Sequence, residues 1–312
     1  MPSKAHLSAA IHTSFEPVTG TWQYVVADPS THDAAIIDSV LDFDPVSSRI
    51  NTKSADILLS IVAQEKLQVK YIMETHAHAD HLTAARYLQQ KLIQLGHPRP
   101  QIAIGKRITQ VQRTFAGKYG VAKEEQVEMF DKLWDDNEQF EIGELKGEVL
   151  YLPGHTPDHV GYMIEDNVFT GDSIFNPDVG SARADFPGGS ATDLWSSTQK
   201  LLGLPEHFRL YTGHDYPPKS RTPGDMGEKT KAYATVQEQK RENKHVKTGT
   251  TEQEFVNWRK ERDAGLGQPR LLHQAMQFNI RGGRLPYLTD GGERFLILPI
   301  TGSEETLEVM RE

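Results

Sequence analysis

Apolar positions fall into short runs of two kinds. Between Ala10 and Val40, the runs Ile11–Phe15, Trp22–Ala27 and Ala34–Asp38 read as strands. Pro17, Gly20, Asp28, Pro29 and Ser30 punctuate them as turns, which predicts an antiparallel meander. A second meander is expected from Gln139–Ile142, Gly147–Leu152, Gly161–Ile164 and Asn167–Thr170. Between the meanders the spacing becomes helical. Thr52 to Lys66 puts Ile57, Leu58, Ile61 and Val62 on one stripe, and Val69–Met73 follows as a buried strand. A helix is expected from Leu82 to about Leu95, ended by Gly96-His97-Pro98, then a strand at Ile102–Gly105 and a helix at Ile108–Phe115. Val121 to Trp134 reads as a charged connection.

In the second half, Leu194–Leu202 reads as a helix and Leu210–Gly213 as a strand. Glu228–Asn243 reads as a charged, solvated helix. Thr251 and Glu254 form a capping box that opens a helix to Arg262, and Arg294–Ile300 reads as a last strand. Both halves thus run antiparallel strands into helix and strand. The expected fold is α/β: two mixed sheets packed face to face between helices, a four-layer αββα sandwich. Residues 1–225 are expected to form the main domain, with 226–312 a helical extension and final strand packed on it.

At 312 residues the chain can bury a large core. The formal net charge is -9, which argues against a nucleic-acid or membrane-surface binder, although a local basic pocket is compatible with it. No apolar run is long enough to span a membrane. The N-terminal residues lack the apolar core of a signal peptide, so a cytoplasmic protein is expected. There is no cysteine. Disulfides, thiolate ligands and cysteine nucleophiles are thereby excluded, and any metal must be held by nitrogen and oxygen.

The candidate chemistry centres on Thr75-His76-Ala77-His78-Ala79-Asp80-His81, placed directly after the Val69–Met73 run. Three imidazoles and a carboxylate within six positions, at a strand-to-helix turn, are ligands for zinc, iron or manganese. Three further stretches share that grammar. Gly154-His155-Thr156, Gly171-Asp172-Ser173 and Gly213-His214-Asp215 each place a ligand type directly after a glycine at a strand end. Asp38, which ends the third strand, is a candidate to orient neighbouring loops or simply a strand-end cap.

The set H-x-H-x-D-H at 76–81, G-H-T at 154–156, G-D at 171–172 and G-H-D at 213–215 resembles the metallo-β-lactamase superfamily over roughly residues 10 to 220. Within it, METHAHADHLTAA, Gly180-Ser181-Ala182-Arg183-Ala184-Asp185-Phe186 and His214-Asp215-Tyr216 look like the persulfide dioxygenase branch. Two features depart from that branch. Asp158-His159 stands where a small residue and a cysteine are usual, and the segment after about 225 is longer than in the animal members.

The resemblance implies one Fe(2+) held by His76, His155 and Asp172, with glutathione persulfide and O2 as substrates and sulfite and glutathione as products. Arg183 and Tyr216 are implied as substrate contacts, and Asp80 and Tyr216 as catalytic side chains. The rival for Arg183 is an ion pair with Asp185. His78, Asp80, His81 and His214 are implied either as supporting residues or as ligands of a second metal. In that second case the protein is a dinuclear Zn(2+) hydrolase of the glyoxalase II type, acting on a hydroxyacylglutathione thioester, or a lactonase. No nucleic-acid or membrane partner is expected, and a homodimer stays open.

Overall fold

In the computed structural model, residues 8–122, 128–219, 221 and 229–310 are described. The strands are β1 (Ala10–Glu16), β2 (Thr21–Ala27), β3 (Asp33–Ile37), β4 (Val40–Asp44), β5 (Arg49–Asn51), β6 (Gln68–Met73), β7 (Leu82–Thr83), β8 (Gln101–Gly105) and β9 (Lys132–Trp134). They continue as β10 (Gln139–Ile142), β11 (Leu145–Tyr151), β12 (Val160–Ile164), β13 (Asn167–Gly171), β14 (Arg209–Thr212) and β15 (Tyr233–Thr235). The described helices are α1 (Lys53–Gln64), α2 (Ala85–Gln94), α3 (Ile108–Tyr119), α4 (Ala191–Leu202), α5 (Val236–Glu242), α6 (Glu252–Ala264), α7 (Leu272–Asn279) and α8 (Glu304–Val309).

Two six-stranded sheets result, ordered β1-β2-β3-β6-β8-β9 and β10-β11-β12-β13-β14-β15. Both are mixed. β1 to β3 pair antiparallel while β3, β6, β8 and β9 run parallel; β13 and β14 are the parallel pair of the second sheet. Strict alternation along β2 explains the layering. Trp22, Tyr24 and Val26 meet Val149, Tyr162 and Phe169 of the other sheet, whereas Val25 and Ala27 meet Leu58 and Leu88 of α1 and α2. On the far side, Val168 and Leu210 pack beneath Leu194 and Leu201 of α4 and Phe255 of α6. The expected four-layer αββα order is the one found.

Several local expectations need correction. Leu82 and Thr83 do not begin the helix; they form β7 on β4, and α2 starts at Ala85. The β4–β5 hairpin was not anticipated, because Asp42 and Asp44 interrupt its apolar run. Of Glu228–Asn243, residue 228 lies outside the described residues. The rest contains edge strand β15 and then α5, whose Val236 and Gln239 are buried rather than solvated. Part of the Val121–Trp134 connection, 123–127, likewise lies outside, and its end is strand β9. Arg294–Ile300 is not a strand. The Gln277 side chain meets this segment instead: its Nε2 donates to Ile297 O at 2.8 Å and its Oε1 accepts from Ile297 N at 2.9 Å. No helix among the described residues is long and apolar enough to cross a membrane.

Candidate metal centre

Strands of both sheets end at one edge of the sandwich, and the candidate ligands follow them. β6 delivers the His76–His81 loop. The parallel strands β13 and β14 end side by side, and Gly213 N donates to Gly171 O at 2.8 Å, so Asp172 and His214 emerge together. Gly171 has φ +49°, and a β-carbon there would lie 2.5 Å from Thr75 Oγ1. Glycine therefore lets the second sheet close against the first sheet's metal loop.

The alternation His76-Ala77-His78-Ala79-Asp80 divides the loop. Ala77 and Ala79 enter an apolar cluster with Ile108 and Phe115 of α3 and Leu272 and Met276 of α7. Ligand atoms of His76, His155 and Asp172 lie within 4.8 Å of one another, and so do those of His78, Asp80 and His81. His214 joins the two groups, its Nε2 being 3.3 Å from Asp80 Oδ2 and 3.5 Å from Asp172 Oδ2.

Each imidazole has its other nitrogen committed, and the partners settle the tautomers. Thr75 Oγ1 donates to Asp38 Oδ2 at 2.9 Å, so it must accept from His76 Nδ1, also at 2.9 Å. His155 Nδ1 donates to Arg183 O at 2.8 Å and His81 Nδ1 to Leu82 O at 3.2 Å, because a carbonyl can only accept. His78 Nε2 faces Asp38 Oδ1 and Glu74 Oε2, each at 3.1 Å. On the first strand pair, Thr19 Oγ1 donates to Glu16, so Thr21 donates to Thr19 and accepts from His214 Nδ1 at 3.3 Å. Holding the far nitrogen in this way fixes ring orientation and leaves the near nitrogen a lone pair for a metal.

Buried atoms without a hydrogen-bond partner test whether a cation fits. They include His76 Nε2, His78 Nδ1, His81 Nε2, Asp80 Oδ2 and Asp172 Oδ1. Unsatisfied buried lone pairs on this many converging ligand atoms are costly unless an ion takes them up. Electrostatics agree at His76 and His81, whereas at His78 burial is outweighed by the Asp38 and Glu74 carboxylates, which raise its pKa well above the usual imidazole value. Burial, followed by His78, His159 and His155, holds His76 well below the usual imidazole pKa; burial and His78 bring His81 down to about 4. Both rings stay neutral, as metal ligands must. Burial alone would lower His214, but the Asp172 and Asp80 carboxylates outweigh it and raise its pKa. A cation would satisfy those same oxygens.

His159, the residue that departs from the branch pattern, stacks on His76 with ring centroids 4.7 Å apart and accepts from Asp172 N at 2.9 Å. Its neighbour Asp158 accepts from Ala77 N at 2.9 Å. Asp38 does orient a neighbouring loop: besides Thr75 Oγ1 it accepts from Thr75 N at 2.7 Å. Asp215 is buried and accepts from Lys231 N at 2.7 Å and from Arg221. Glu74 was missed by sequence reasoning, although it directly precedes the motif. A carboxylate at the buried end of a strand was the available signal.

A cleft of about 490 Å³ opens on Asp80, His155, Asp172 and His214. Tyr216 lies on its wall, stacked on His214 at 5.6 Å, with its hydroxyl 3.4 Å from Thr19 O. Arg183 also lines it, but its fork is occupied: Nε and Nη2 donate to Asp185 at 2.5 and 2.6 Å, and Nη1 to Gly267 O at 2.9 Å. Lys244, Arg262 and Arg270 reach the same cleft and make no ion pair with a described residue. None of these three was singled out in the sequence, because they lie outside the motifs.

The sequence model of the Metallo-beta-lactamase superfamily matches residues 17–214. A Beta-lactamase hydrolase-like protein of Xylella fastidiosa is 45% identical over 291 residues, which is 93% of this chain and 64% of that protein. The chain thus spans less than two thirds of that relative's length. Glyoxylase B2 of Dictyostelium discoideum is 41% identical over 303 residues, 96% of this chain and 98% of that protein. The mitochondrial Persulfide dioxygenase ETHE1 of Homo sapiens is 29% identical over 205 residues, 65% of this chain and 66% of that protein. The crystal structure of ETHE1 from Myxococcus xanthus superposes with a TM-score of 0.67 at 26% identity, covering 88% of this chain and 100% of that one. With the family match spanning both halves of the sandwich and every ligand-bearing loop, the chain belongs to the metallo-β-lactamase superfamily.

Proposed function

We propose that this protein is a persulfide dioxygenase with one ferrous iron held by His76, His155 and Asp172. The observation that carries this reading is the compact set of two imidazoles and one carboxylate, with ligand atoms within 4.8 Å, opening on the cleft. Such a set leaves coordination positions open on the opposite face, which suits ferrous iron in oxygenases. Bound there, the iron supplies joint binding of a persulfide sulfur and O2 and the passage of electrons between them. Overall, glutathione persulfide, O2 and water give glutathione and sulfite, with both atoms of O2 and the oxygen of water ending on the released sulfur.

The chain's own contribution is orientation and charge. Asp38 acts through Thr75 on His76, the Arg183 carbonyl holds His155, and His159 holds the Asp172 backbone. Tyr216 lies on the cleft wall, where its hydroxyl proton, donated to Thr19 O at 3.4 Å, would pass to a bound substrate. Lys244, Arg262 and Arg270 neutralise the carboxylates of glutathione, and the absence of cysteine means that no protein thiol relays sulfur.

One observation favours a second reading. His78, Asp80 and His81 form another compact group, so the chain could serve as a dinuclear zinc hydrolase of a thioester such as S-lactoylglutathione. An oxygen electrode separates the two. Iron-loaded protein should consume O2 on addition of glutathione persulfide. Absence of uptake, together with rapid S-lactoylglutathione hydrolysis by the zinc form, would establish the hydrolase instead.

A further inference from the structure

The segment beyond β14 reaches back to the metal loop at one residue. Asn279, the buried last residue of α7, donates from Nδ2 to His78 O and to His81 O, each at 2.8 Å. Its Oδ1 accepts from Thr83 N at 2.9 Å. Both amide protons and the amide oxygen are thus committed to the one turn that carries His78, Asp80 and His81. The network continues on the far side of the turn. Thr83 Oγ1 donates to Glu74 Oε1 at 2.5 Å, and the other Glu74 oxygen lies 3.1 Å from His78 Nε2. The same helix packs Leu272 and Met276 against Ala77 and Ala79 of the loop.

We infer that Asn279 is a positioning residue for the ligand-bearing loop at His78, Asp80 and His81, which makes the segment after residue 225 a working part of the metal centre. The physical argument is one of geometry. His78 and His81 offer opposite ring nitrogens, Nδ1 and Nε2, so both reach the metal centre only if the backbone between them keeps a fixed turn. Packing of two alanine methyls constrains the depth of that turn but not its twist. Two hydrogen bonds from one planar amide to the carbonyls at 78 and 81 fix their separation and direction together. Outer groups that orient ligands in this way typically govern metal affinity by about 10- to 100-fold.

Zinc binding by the purified 312-residue chain, measured by competition with a chromophoric chelator, tests this without reference to any reaction. Asn279→Ala and the near-isosteric Asn279→Asp, which keeps the acceptor for Thr83 and loses both donors, are compared with Met276→Ala, a cavity variant of the same helix. The inference expects zinc affinity to fall about 10-fold or more in both Asn279 variants and to stay within about 2-fold in Met276→Ala at similar loss of thermal stability. Zinc affinity in Asn279→Asp equal to that of the parent, or a loss in Met276→Ala as large as in Asn279→Ala, would overturn it and leave Asn279 a packing residue. Because no substrate is used, failure here is distinct from failure of the oxygenase reading.

Discussion

The backbone carbonyl of Arg183 accepts a 2.8 Å hydrogen bond from Nδ1 of His155, while the guanidinium of the same residue is turned onto Asp185. The G-x-x-R-x-D-F loop therefore serves the candidate centre through its main chain. Helix α6 holds that loop in place. Arg259 Nη1 donates to Ala182 O at 3.0 Å and Asp263 Oδ2 accepts from Ala184 N at 2.9 Å, with Arg259 and Asp263 paired to each other.

Arg183→Lys is expected to lower the melting temperature modestly and to change the substrate concentration at half-maximal rate by less than about 2-fold, because the lost fork served Asp185. Thermal melts and oxygen-uptake kinetics read both quantities. A rise of 10-fold or more in that concentration at unchanged stability would restore Arg183 as a substrate anchor.

Arg262→Ala and Arg270→Ala should behave in the opposite way. These cations line the cleft and make no ion pair with a described residue, so their loss is expected to raise KM for an anionic thiol substrate several-fold with little change in kcat or melting temperature. The effect should shrink at high ionic strength, since it is carried by exposed charge. A KM that ignores both substitution and salt would remove these residues from substrate recognition.

Substituting His76, His155 or Asp172 by Ala should each abolish iron retention through gel filtration while the circular dichroism spectrum is preserved, since the sheets are held by packing elsewhere. Iron content equal to the parent in any one variant would exclude that residue as a ligand.

Asp38→Asn keeps the shape but weakens acceptance from Thr75 and removes the charge facing His78. Metal affinity is expected to fall about 10-fold or more, measured by chelator competition. If affinity is retained, Asp38 is only a strand-end cap.

One prediction concerns pH and lies away from the centre. Asp28 ties the β2–β3 turn to the β10–β11 turn by accepting from Ser30 N at 2.7 Å and Glu144 N at 2.6 Å. Burial would raise its pKa, but the hydrogen bonds from Glu144, Ser30 and Thr31 outweigh it and bring it from 3.8 to about 2. The folded value lies below the unfolded one, so the stabilisation is present above about pH 4 and is lost as pH falls toward 2. The parent should therefore be more stable than Asp28→Asn near neutrality, with the gap closing below pH 4 in urea melts. A gap that does not depend on pH would mean that the carboxylate charge is irrelevant.

Much of the architecture was legible in the chain itself. Short apolar runs at Trp22–Ala27 and Gln139–Ile142, helical spacing at Ile57–Val62 and the turn formers between them pointed to two meanders and their helices, because these are local signals. The cluster at 76–81 and the three glycine-preceded ligand types were likewise readable, since strand ends are where side chains leave a sheet. Where local signal competed with partners distant in sequence, the reading failed. Leu82-Thr83 has helical neighbours but pairs with β4, and Arg294–Ile300 has a strand's composition but gains no strand partner. Sequence by itself determined which side chains could bind a metal and that no thiol would be among them. Only the tertiary structure decided which nitrogen of each histidine points inward, that the fork of Arg183 is spent on Asp185, and that Asn279, some 200 residues away in sequence, grips the loop at His78 and His81. These are matters of hydrogen-bond geometry between segments far apart in the chain, and no periodicity along it records them.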